Sequence, residues 1–451
     1  MMLRNLLKKE FLENLFNQRF TVSLALVAVV CWTSTAVLTK NYNENIDDYY
    51  RRVNLKNRIL DNSFFANGAG GLMIRPLKPP PVLSSLARGV AHDWIVLGSI
   101  DDNPVPVLFP FMDILLVTGI IMSITTLALS YDRISGEKDQ GTLKMLVMGS
   151  VPRSTIIIGK WLGGMLSISL IVLIGFVGSS LIAYTFSKTN WTFTEWSALG
   201  AFLLLSIFYC ASFYSIGLYI SSKTSSPDES AIVALLSWIL FTLVLPTIAP
   251  YIAEMIRPTP SASKIRYEMF FTLEQERNRA LTSLRAPFVA RGLSEEEITR
   301  QVKAEAAKIS EEFQRKKKEL ENRTLEQSAV HEAITGVFHL LSPFSCFELA
   351  GAELTSTGAL NQLYFTKEAS NYENYFFDKY LPLKENEARR IDSSYSGKAR
   401  LDITDRPQFQ YKEESISLRF AASSIHGAFI VFYNLLFLAL SWKAFIKYDV
   451  R

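Results

Sequence analysis

Few side chains in this sequence have types and spacings that could do chemistry, and the first group is its histidines. They are His92, His331, His339 and His426. His331 and His339 are eight residues apart, which places them about 80° apart around a helix. A metal site formed by these two is one interpretation. Histidines that face solvent or make hydrogen bonds are the interpretation that we favour.

The sequence also lacks the motifs of nucleotide hydrolysis and of common hydrolases. The nearest approach to a phosphate-binding loop is Gly136–Gly141, but Thr142 follows where that loop requires a lysine. The patterns HExxH, GxSxG and CxxC do not occur. We therefore expect no catalytic residue, no metal site and no cofactor in this chain, and no ATP hydrolysis by the chain itself.

Two polar residues lie in strongly apolar stretches. Asp113 occurs in PFMDILLVTGII, and a carboxylate in hydrocarbon is costly unless it faces the protein interior, a cavity or a partner. We predict that Asp113 lies on a translocation path or at a subunit contact; the alternative is a hydrated carboxylate near the outer interface. Asn434 is a weaker candidate for the same role, and we expect it to form a hydrogen bond between helices.

The composition excludes two classes of protein. The chain has 451 residues, 49% of them apolar and 20% charged, with 47 Lys and Arg against 43 Asp and Glu. A net charge of +4 gives no support to nucleic-acid binding, and so apolar a chain is not disordered.

The apolar residues occur in six blocks long enough to cross a membrane. A helix needs about 20 such residues for this, because each residue rises about 1.5 Å. We therefore predict a mainly α-helical polytopic membrane protein with six transmembrane helices, with five or seven as alternatives. The blocks are Phe20–Thr39, Val107–Leu129, Ile156–Phe186, Leu199–Ile220, Ala231–Ala253 and Ile425–Phe445.

Lysine and arginine near the ends of these blocks predict the orientation. They cluster before the first block, after the second and after the sixth, so these segments and both termini are expected in the cytoplasm. Residues 1–19 form a predicted amphipathic helix at the membrane interface. The domains are then 1–19, 20–39 (first transmembrane helix), 40–106 (extracytoplasmic), 107–253 (helices two to five, with a cytoplasmic loop 131–155), 254–424 (extracytoplasmic) and 425–451 (sixth helix and C-terminus).

The extracytoplasmic segments are predicted to be mostly helical. Residues Tyr42–Ile59 have a helical pattern, and the proline-rich stretch Arg75–Gly89 is either a rigid connector or a strap that docks a partner. Ser294 before three glutamates is an N-cap signature that opens a long amphipathic helix. With a shorter helix at Ser263–Leu284, it predicts an antiparallel hairpin. Residues Lys367–Lys412 lose helical periodicity and are expected to be irregular.

The loop after the second block is the most informative stretch. Its charged cluster is followed by a helix start at Gly141 and Thr142 and then by an apolar patch, an arrangement suited to contact with a soluble partner. Gly159 and Gly163 form a GxxxG pattern, which predicts close helix packing.

This loop resembles that of permeases in the second ABC-transporter family, which have the type V exporter fold. The family pattern is matched by the stretches Ser135–Lys138, Gly141–Leu143, Pro152–Ser154 and Gly159–Lys160. The ending Phe445–Arg451 and the stretches Leu341–Gly358 and Arg75–Gly89 resemble a bacterial subgroup with large extracytoplasmic domains.

The resemblance implies an inner-membrane permease subunit. Its partners would be two separate ABC ATPase subunits, which hold ATP and Mg, a second permease copy or a paralogue, the lipid bilayer and an extracytoplasmic protein. Residues 1–19 would be a connecting helix, and the loop would carry a coupling helix. The residues implied to couple to the ATPase are Arg133, Gly136, Glu137, Lys138, Gly141, Thr142 and Leu143.

Two functions remain open at this point. The first is export of a substrate driven by ATP hydrolysis in the partner subunit. The second is a mechanical or assembly device that acts on an extracytoplasmic partner without bulk transport, in metalloenzyme maturation, surface-structure assembly or gliding. The length of residues 254–424, much larger than is usual in the family, favours the second function more than in other members.

Overall fold

The computed structural model describes residues 2–64, 74–89, 112–148, 152–258, 264–265, 267–393, 395 and 400–447. In these ranges the chain is mainly helical, and 6 helical stretches are long and apolar enough to cross a membrane. They are Gln18–Asn62, Ile114–Asp139, Arg153–Phe186, Phe193–Lys223, Pro227–Ile256 and Ile416–Ile446. They are called spans one to six below, with span one limited to residues 18–39 and span two to residues 114–130 of the first two stretches. The prediction of a polytopic helical membrane protein is confirmed.

Span one is part of a much longer helix than the sequence predicted. Helix α1 (Met2–Leu15) is followed by α2 (Gln18–Ser63), which begins where the Asn17 side chain accepts a hydrogen bond from the Arg19 amide at 2.9 Å. The 46 residues of α2 merge the predicted first span with the predicted helix Tyr42–Ile59. No glycine or proline interrupts this stretch, so nothing in it ends the helix.

Spans two to four are joined by short segments. Span two consists of α3 (Ile114–Leu116), a π-helical turn (Val117–Met122) and α4 (Ser123–Ser130). The loop carries two short helices, α5 (Ser135–Asp139) and α6 (Thr142–Met148). Span three is α7 (Arg153–Phe186), and span four is α8 (Phe193–Lys223), which Thr192 and Glu195 open with a capping box.

The rest of the chain contains two further spans and the helices between them. Span five consists of α9 (Pro227–Ile239), a π-helical turn (Leu240–Val244) and α10 (Leu245–Ile256). After it come a π-helical turn (Tyr267–Leu273), α11 (Glu274–Ser283), α12 (Arg285–Ala290), α13 (Glu295–His339), α14 (Pro343–Leu354), α15 (Ala359–Tyr375), a further π-helical turn (Phe376–Tyr380), α16 (Leu381–Ile391) and span six, α17 (Ile416–Ile446).

The chain divides into two compact units, residues 1–243 with 342–451, and residues 244–341. The second unit contains an antiparallel helical hairpin. Ser294 caps α13 by accepting a hydrogen bond from the Glu297 amide. Contacts at Arg277–Phe313 and Arg285–Glu295 run in opposite directions along the two arms, so α11 and α12 fold back on α13.

The prediction of an irregular region at Lys367–Lys412 is wrong for its first half. Helix α15, the π-helical turn and α16 continue to Ile391, and the described residues between Ile391 and span six, which are 392–393, 395 and 400–415, are not helical. Aromatic residues among polar ones, at Tyr372, Phe376 and Tyr380, supply the helical periodicity. They pack on a small core formed by Leu60, Phe64, Ile74, Leu401 and Ile403.

The proline-rich stretch packs within its own unit. Leu83 and Leu86 are buried, and Lys78 donates a hydrogen bond to the Gln362 side chain at 2.9 Å. Gly89 has a φ of +57°, and a β-carbon there would collide with Thr357. These contacts support the connector interpretation. His92 lies outside the described residues.

Candidate functional site

The ends of spans that carry the three predicted basic clusters come together on one side of the first unit. Arg19, at the start of span one, forms an ion pair with Asp132 at the end of span two, at 2.7 Å. Arg153, at the start of span three, donates a hydrogen bond to the Ile446 carbonyl at the end of span six, at 2.6 Å. The loop between spans two and three is therefore surrounded by α1 and by the ends of the spans.

A buried ion-pair network centred on Lys160 is the main feature of this site. The Lys160 ammonium lies 2.7 Å from the Glu137 carboxylate and 3.0 Å from the Glu10 carboxylate. Lys160 and Glu10 are each only 1% exposed. Since a buried charge is costly unless it is paired, the network ties the loop (Glu137), span three (Lys160) and α1 (Glu10) together. The second oxygen of Glu137, Oε2, has no hydrogen-bond partner among the described residues.

Two glycines let α1 approach span three closely enough to form this network. A β-carbon on Gly163 would lie 2.6 Å from the β-carbon of Glu10, and one on Gly159 would collide with Leu6. The prediction of close helix packing at this GxxxG pattern is confirmed, and its partner is α1.

Arg133 holds the end of span two against α1. Its guanidinium donates hydrogen bonds to the Leu129 carbonyl at 2.8 Å and to the Asn14 side chain. Asn14 is itself buried on α1. Arg133 is therefore engaged inside the chain, as Glu137 is.

Lys138 points to a different part of the molecule from its neighbour Glu137. Its ammonium donates hydrogen bonds to the Ser222 and Thr224 carbonyls, at 2.7 and 2.9 Å, at the end of span four. The Ser221 hydroxyl accepts hydrogen bonds from the amides of Ile134 and Ser135, both at 2.9 Å.

The remaining predicted loop residues shape and anchor α5 and α6. Gly141 has a φ of +71°, a conformation that side chains disfavour, and it separates the two helices. The Thr142 hydroxyl donates to the Glu137 carbonyl at 3.4 Å, while Gly136 has no close contact that a β-carbon would disturb. Leu143 is buried, whereas Met145 and Met148 are 73% and 76% exposed. The predicted apolar patch is therefore divided between an anchor and an exposed surface.

Asp113 caps the start of span two, and its predicted place on a translocation path or at a subunit contact stays a prediction. Its carboxylate accepts hydrogen bonds from the Leu116 amide at 2.8 Å and from the Arg88 amide at 2.7 Å. Asp113 is buried, so these amides compensate for the loss of water. The carboxylate thereby fixes the end of the proline-rich stretch to the start of span two.

Asn434 makes the hydrogen bond between helices that was predicted for it. Its side-chain oxygen accepts a hydrogen bond from the Ser215 hydroxyl at 2.7 Å, which joins span six to span four.

A second buried network, at the start of span six, was not predicted. The Arg419 guanidinium lies 2.8 Å from the Glu413 carboxylate and 3.4 Å from that of Glu414. The Asn361 amide donates to Glu414 at 2.9 Å, and the Ser356 hydroxyl also hydrogen-bonds to it. This network fixes the start of span six to the helices α14 and α15.

One residue of these networks that was missed as a site residue had a signal in the sequence. Lys160 follows Gly159 directly inside an otherwise apolar span, and such a cation needs a partner. Glu10 and Glu414 had no such signal. No group of three or more metal-ligating side chains exists among the described residues, and His331 lies 3.6 Å from the Glu254 carboxylate.

Comparison with known proteins gives a consistent family assignment. The family model described as "ABC-2 family transporter protein" matches residues 4–450. A protein of Stutzerimonas stutzeri called "Probable ABC transporter permease protein NosY" is 34% identical over 125 residues, which are 28% of this chain and 45% of that protein. The protein of the same name from Pseudomonas aeruginosa is 31% identical over 124 residues, again 28% of this chain and 45% of its own length. The chain therefore matches about half the length of these relatives.

Proposed function

The chain belongs to the ABC-2 family of transporter proteins, and on that premise we propose that it is the transmembrane subunit of an ATP-driven ABC complex. It couples ATP hydrolysis by a separate ATPase subunit to export of a substrate or to movement of its own extracytoplasmic part. The observation that carries this proposal is the buried network of Glu137, Lys160 and Glu10, because it connects an exposed loop to the spans.

The proposed topology has the loop, α1 and both termini in the cytoplasm of a bacterium, with the chain in the inner membrane. The Lys- and Arg-rich segments that meet at the loop support it, since such segments stay on the cytoplasmic side. On the opposite side, Tyr184, Trp191 and Trp196 contact one another at the junction of spans three and four, as expected at a membrane interface.

The mechanism begins at α6. The exposed side chains of Met145 and Met148 form the surface that contacts the ATPase, and buried Leu143 fixes α6 to the rest of the loop. When ATP binding and hydrolysis move the ATPase, α6 and α5 move with it. Glu137 then pulls on Lys160, because separating a buried ion pair costs several kcal/mol. Span three and α1 follow.

The complex that this mechanism requires contains more than this chain. Two ABC ATPase subunits supply the nucleotide sites, with ATP and Mg bound there, and a second permease copy or a paralogue completes the membrane part. This chain itself acts as a transmitter of movement and has no catalytic role.

The alternative is a mechanical role without bulk transport, and a specific observation favours it. Helix α2 continues without a break from span one to Leu60 in the extracytoplasmic core. The Arg419 network likewise joins span six to α14 and α15. Movement of either span would therefore reach the extracytoplasmic helices directly, where it could act on a protein partner.

The test is to purify the tagged chain from its native membranes in mild detergent and to identify bound proteins by mass spectrometry. An ABC ATPase in stoichiometric amount is expected. The double variant Met145→Glu/Met148→Glu should lose it, because charges replace the exposed apolar contact. The control Ile391→Glu alters an 89% exposed residue on α16 and should retain it.

A folded chain that binds no ABC ATPase would overturn the proposal. Retention of the ATPase by the double methionine variant would leave the family assignment intact but would refute the role of α6. An extracytoplasmic protein that copurifies in stoichiometric amount would favour the mechanical role.

A further inference from the structure

Helix α5 presents two faces to two different parts of the chain. On a helix, Ser135 and Lys138 are three residues apart and share a face, whereas Glu137 projects about 100° from Lys138 and about 160° from Ser135. Glu137 contacts span three and α1 through Lys160 and Glu10. The face that carries Ser135 and Lys138 lies against the end of span four.

The first contact on this face is made by the Ser221 hydroxyl. It accepts hydrogen bonds from the Ile134 and Ser135 amides at 2.9 Å each. These amides open a helix, where backbone donors have no partner within the helix itself. Ser221 therefore supplies from span four the acceptor that α5 lacks, and it is fully buried there.

The second contact is made by the Lys138 ammonium. It lies 2.7 Å from the Ser222 carbonyl and 2.9 Å from the Thr224 carbonyl. The last carbonyls of a helix have no internal donors, and they carry the negative end of the helix dipole. Lys138 thus closes the end of span four with a positive charge.

The same face reaches the start of span five. The Ser230 hydroxyl donates to the Ser135 hydroxyl at 2.8 Å and also contacts Thr224. Ser230 lies in the first turn of α9, whose N-cap is Ser226. Span four, span five and α5 therefore meet at one group of buried hydroxyls.

We propose that α5 is a two-sided joint, in which Lys138 and Ser221 connect the loop to the junction of spans four and five, independently of the connection that Glu137 makes to span three. This inference rests on the proposed function and specifies which spans the loop moves. Lys138 and Ser221 are positioning residues, since they act on the spans and not on a substrate. A displacement of α5 is then shared between span three on one side and spans four and five on the other.

The test measures the two connections separately in the complex with its ATPase. The native cysteines, Cys31, Cys210 and Cys346, are all buried, so introduced cysteines can be spin-labelled selectively. The pair Gln140→Cys/Ser225→Cys reports the distance from the loop to the junction of spans four and five. The pair Gln140→Cys/Ile158→Cys reports the distance from the loop to span three. Each of the three positions is exposed.

In the otherwise wild-type chain, we expect both pairs to give narrow distance distributions that are the same without nucleotide and with vanadate-trapped nucleotide. Lys138→Met removes the donors at similar length, and Ser221→Ala removes the acceptor. Either change should broaden the distance distribution of the first pair in the trapped state and leave that of the second pair narrow. Glu137→Gln should broaden the distribution of the second pair and leave that of the first pair narrow. Lys138→Arg, which keeps the charge and donors, should keep the distribution of the first pair narrow.

Equal changes in both pairs on Lys138→Met, or none in the first pair, would overturn the two-sided joint. A broad distance distribution of the first pair in Lys138→Arg would show that the lysine acts only through packing, and would overturn its positioning role. The proposed function fails by a different result, namely a wild-type chain that binds no ATPase.

Discussion

The network at Lys160 and the network at Arg419 use the same charges but are built differently. Each has one buried cation between two carboxylates, so each has a formal charge of −1. At Lys160 the carboxylates come from α1 and from the loop, 150 and 23 residues away along the chain. At Arg419 they come from Glu413 and Glu414, within six residues on the same segment.

The surroundings of the two cations differ as well. Glu414 keeps further hydrogen bonds from Ser356 and Asn361. Among the described residues, the buried atoms without a hydrogen-bond partner are Oε2 of Glu137 in one network and Nε of Arg419 and Oδ1 of Asn361 in the other. Burial raises the pKa of Glu413, and Arg419 opposes that rise. The Arg419 network is thus a local bracket with neutral support, which holds span six and α14–α15 as one piece. The Lys160 network joins separate elements through hydrogen-bonded ion pairs, which suits a contact that transmits movement.

The largest expected effect is that of Lys160→Met. It leaves Glu10 and Glu137 buried without a cation, and removal of one partner from a buried ion pair costs about 3–5 kcal/mol. We expect the free energy of unfolding of the purified chain, measured in denaturant, to fall by that amount, and α1 to become more accessible to protease.

The matched control is the triple variant Lys160→Met/Glu10→Gln/Glu137→Gln, which removes all three charges. It should recover most of the stability, since the cost arises from uncompensated charge. If the triple variant is as unstable as the single one, packing of the lysine stem explains the loss of stability. The interpretation of the Lys160 network as a contact held by charge would then be wrong.

Arg419→Met should lower the free energy of unfolding by a smaller amount, about 2 kcal/mol, because Ser356 and Asn361 still donate hydrogen bonds to Glu414 after the cation is lost. The measurement is the same denaturant unfolding. Arg419→Lys is the control, since it keeps the charge but not the fork of donors. A loss for Arg419→Met as large as for Lys160→Met would show that the neutral hydrogen bonds give no support.

The span architecture could be predicted from the sequence because it depends on length and hydropathy alone. The Ser294 N-cap and the GxxxG contact at Gly159 and Gly163 are also local patterns, and both predictions are confirmed. Lys160 was visible as a cation in an apolar span, but its partners were not. Pairings across 150 residues depend on which helices become neighbours, and no local pattern encodes that.

Two features could not be predicted, for physical reasons of the same kind. The sequence shows the cost of the Asp113 carboxylate in an apolar stretch, but it does not show the Leu116 and Arg88 amides that reduce this cost at a helix N-terminus. The helix through Tyr372 and Phe376 was missed because aromatic residues among polar ones do not resemble an amphipathic pattern until their core is known. The roles of Gly136 and Thr142 in coupling to an ATPase stay predictions.

The smallest effect is expected at an exposed ion pair between α16 and the segment 400–415, which tests whether burial is what distinguishes both networks. Lys384 lies 2.6 Å from Asp405, whose side chain is 60% exposed. Hydrogen bonds from the Lys384 ammonium and the Tyr380 hydroxyl hold the pKa of Asp405 below its usual value of 3.8. A carboxylate whose pKa is lowered in the folded state stabilises the fold at pH values above its unfolded pKa, and this contribution is lost as the pH falls through the folded pKa.

We expect Asp405→Asn to lower the free energy of unfolding by less than about 1 kcal/mol at neutral pH, as is found for exposed ion pairs. The difference in melting temperature between Asp405→Asn and wild type should be constant above pH 3.8, shrink as the pH falls below that value, and vanish once the pH is below the lowered pKa of the folded state. All other carboxylates titrate in both proteins, so the difference isolates Asp405. A loss at neutral pH as large as that of Arg419→Met would mean that burial does not set the cost of these pairs, and the comparison would lose its basis.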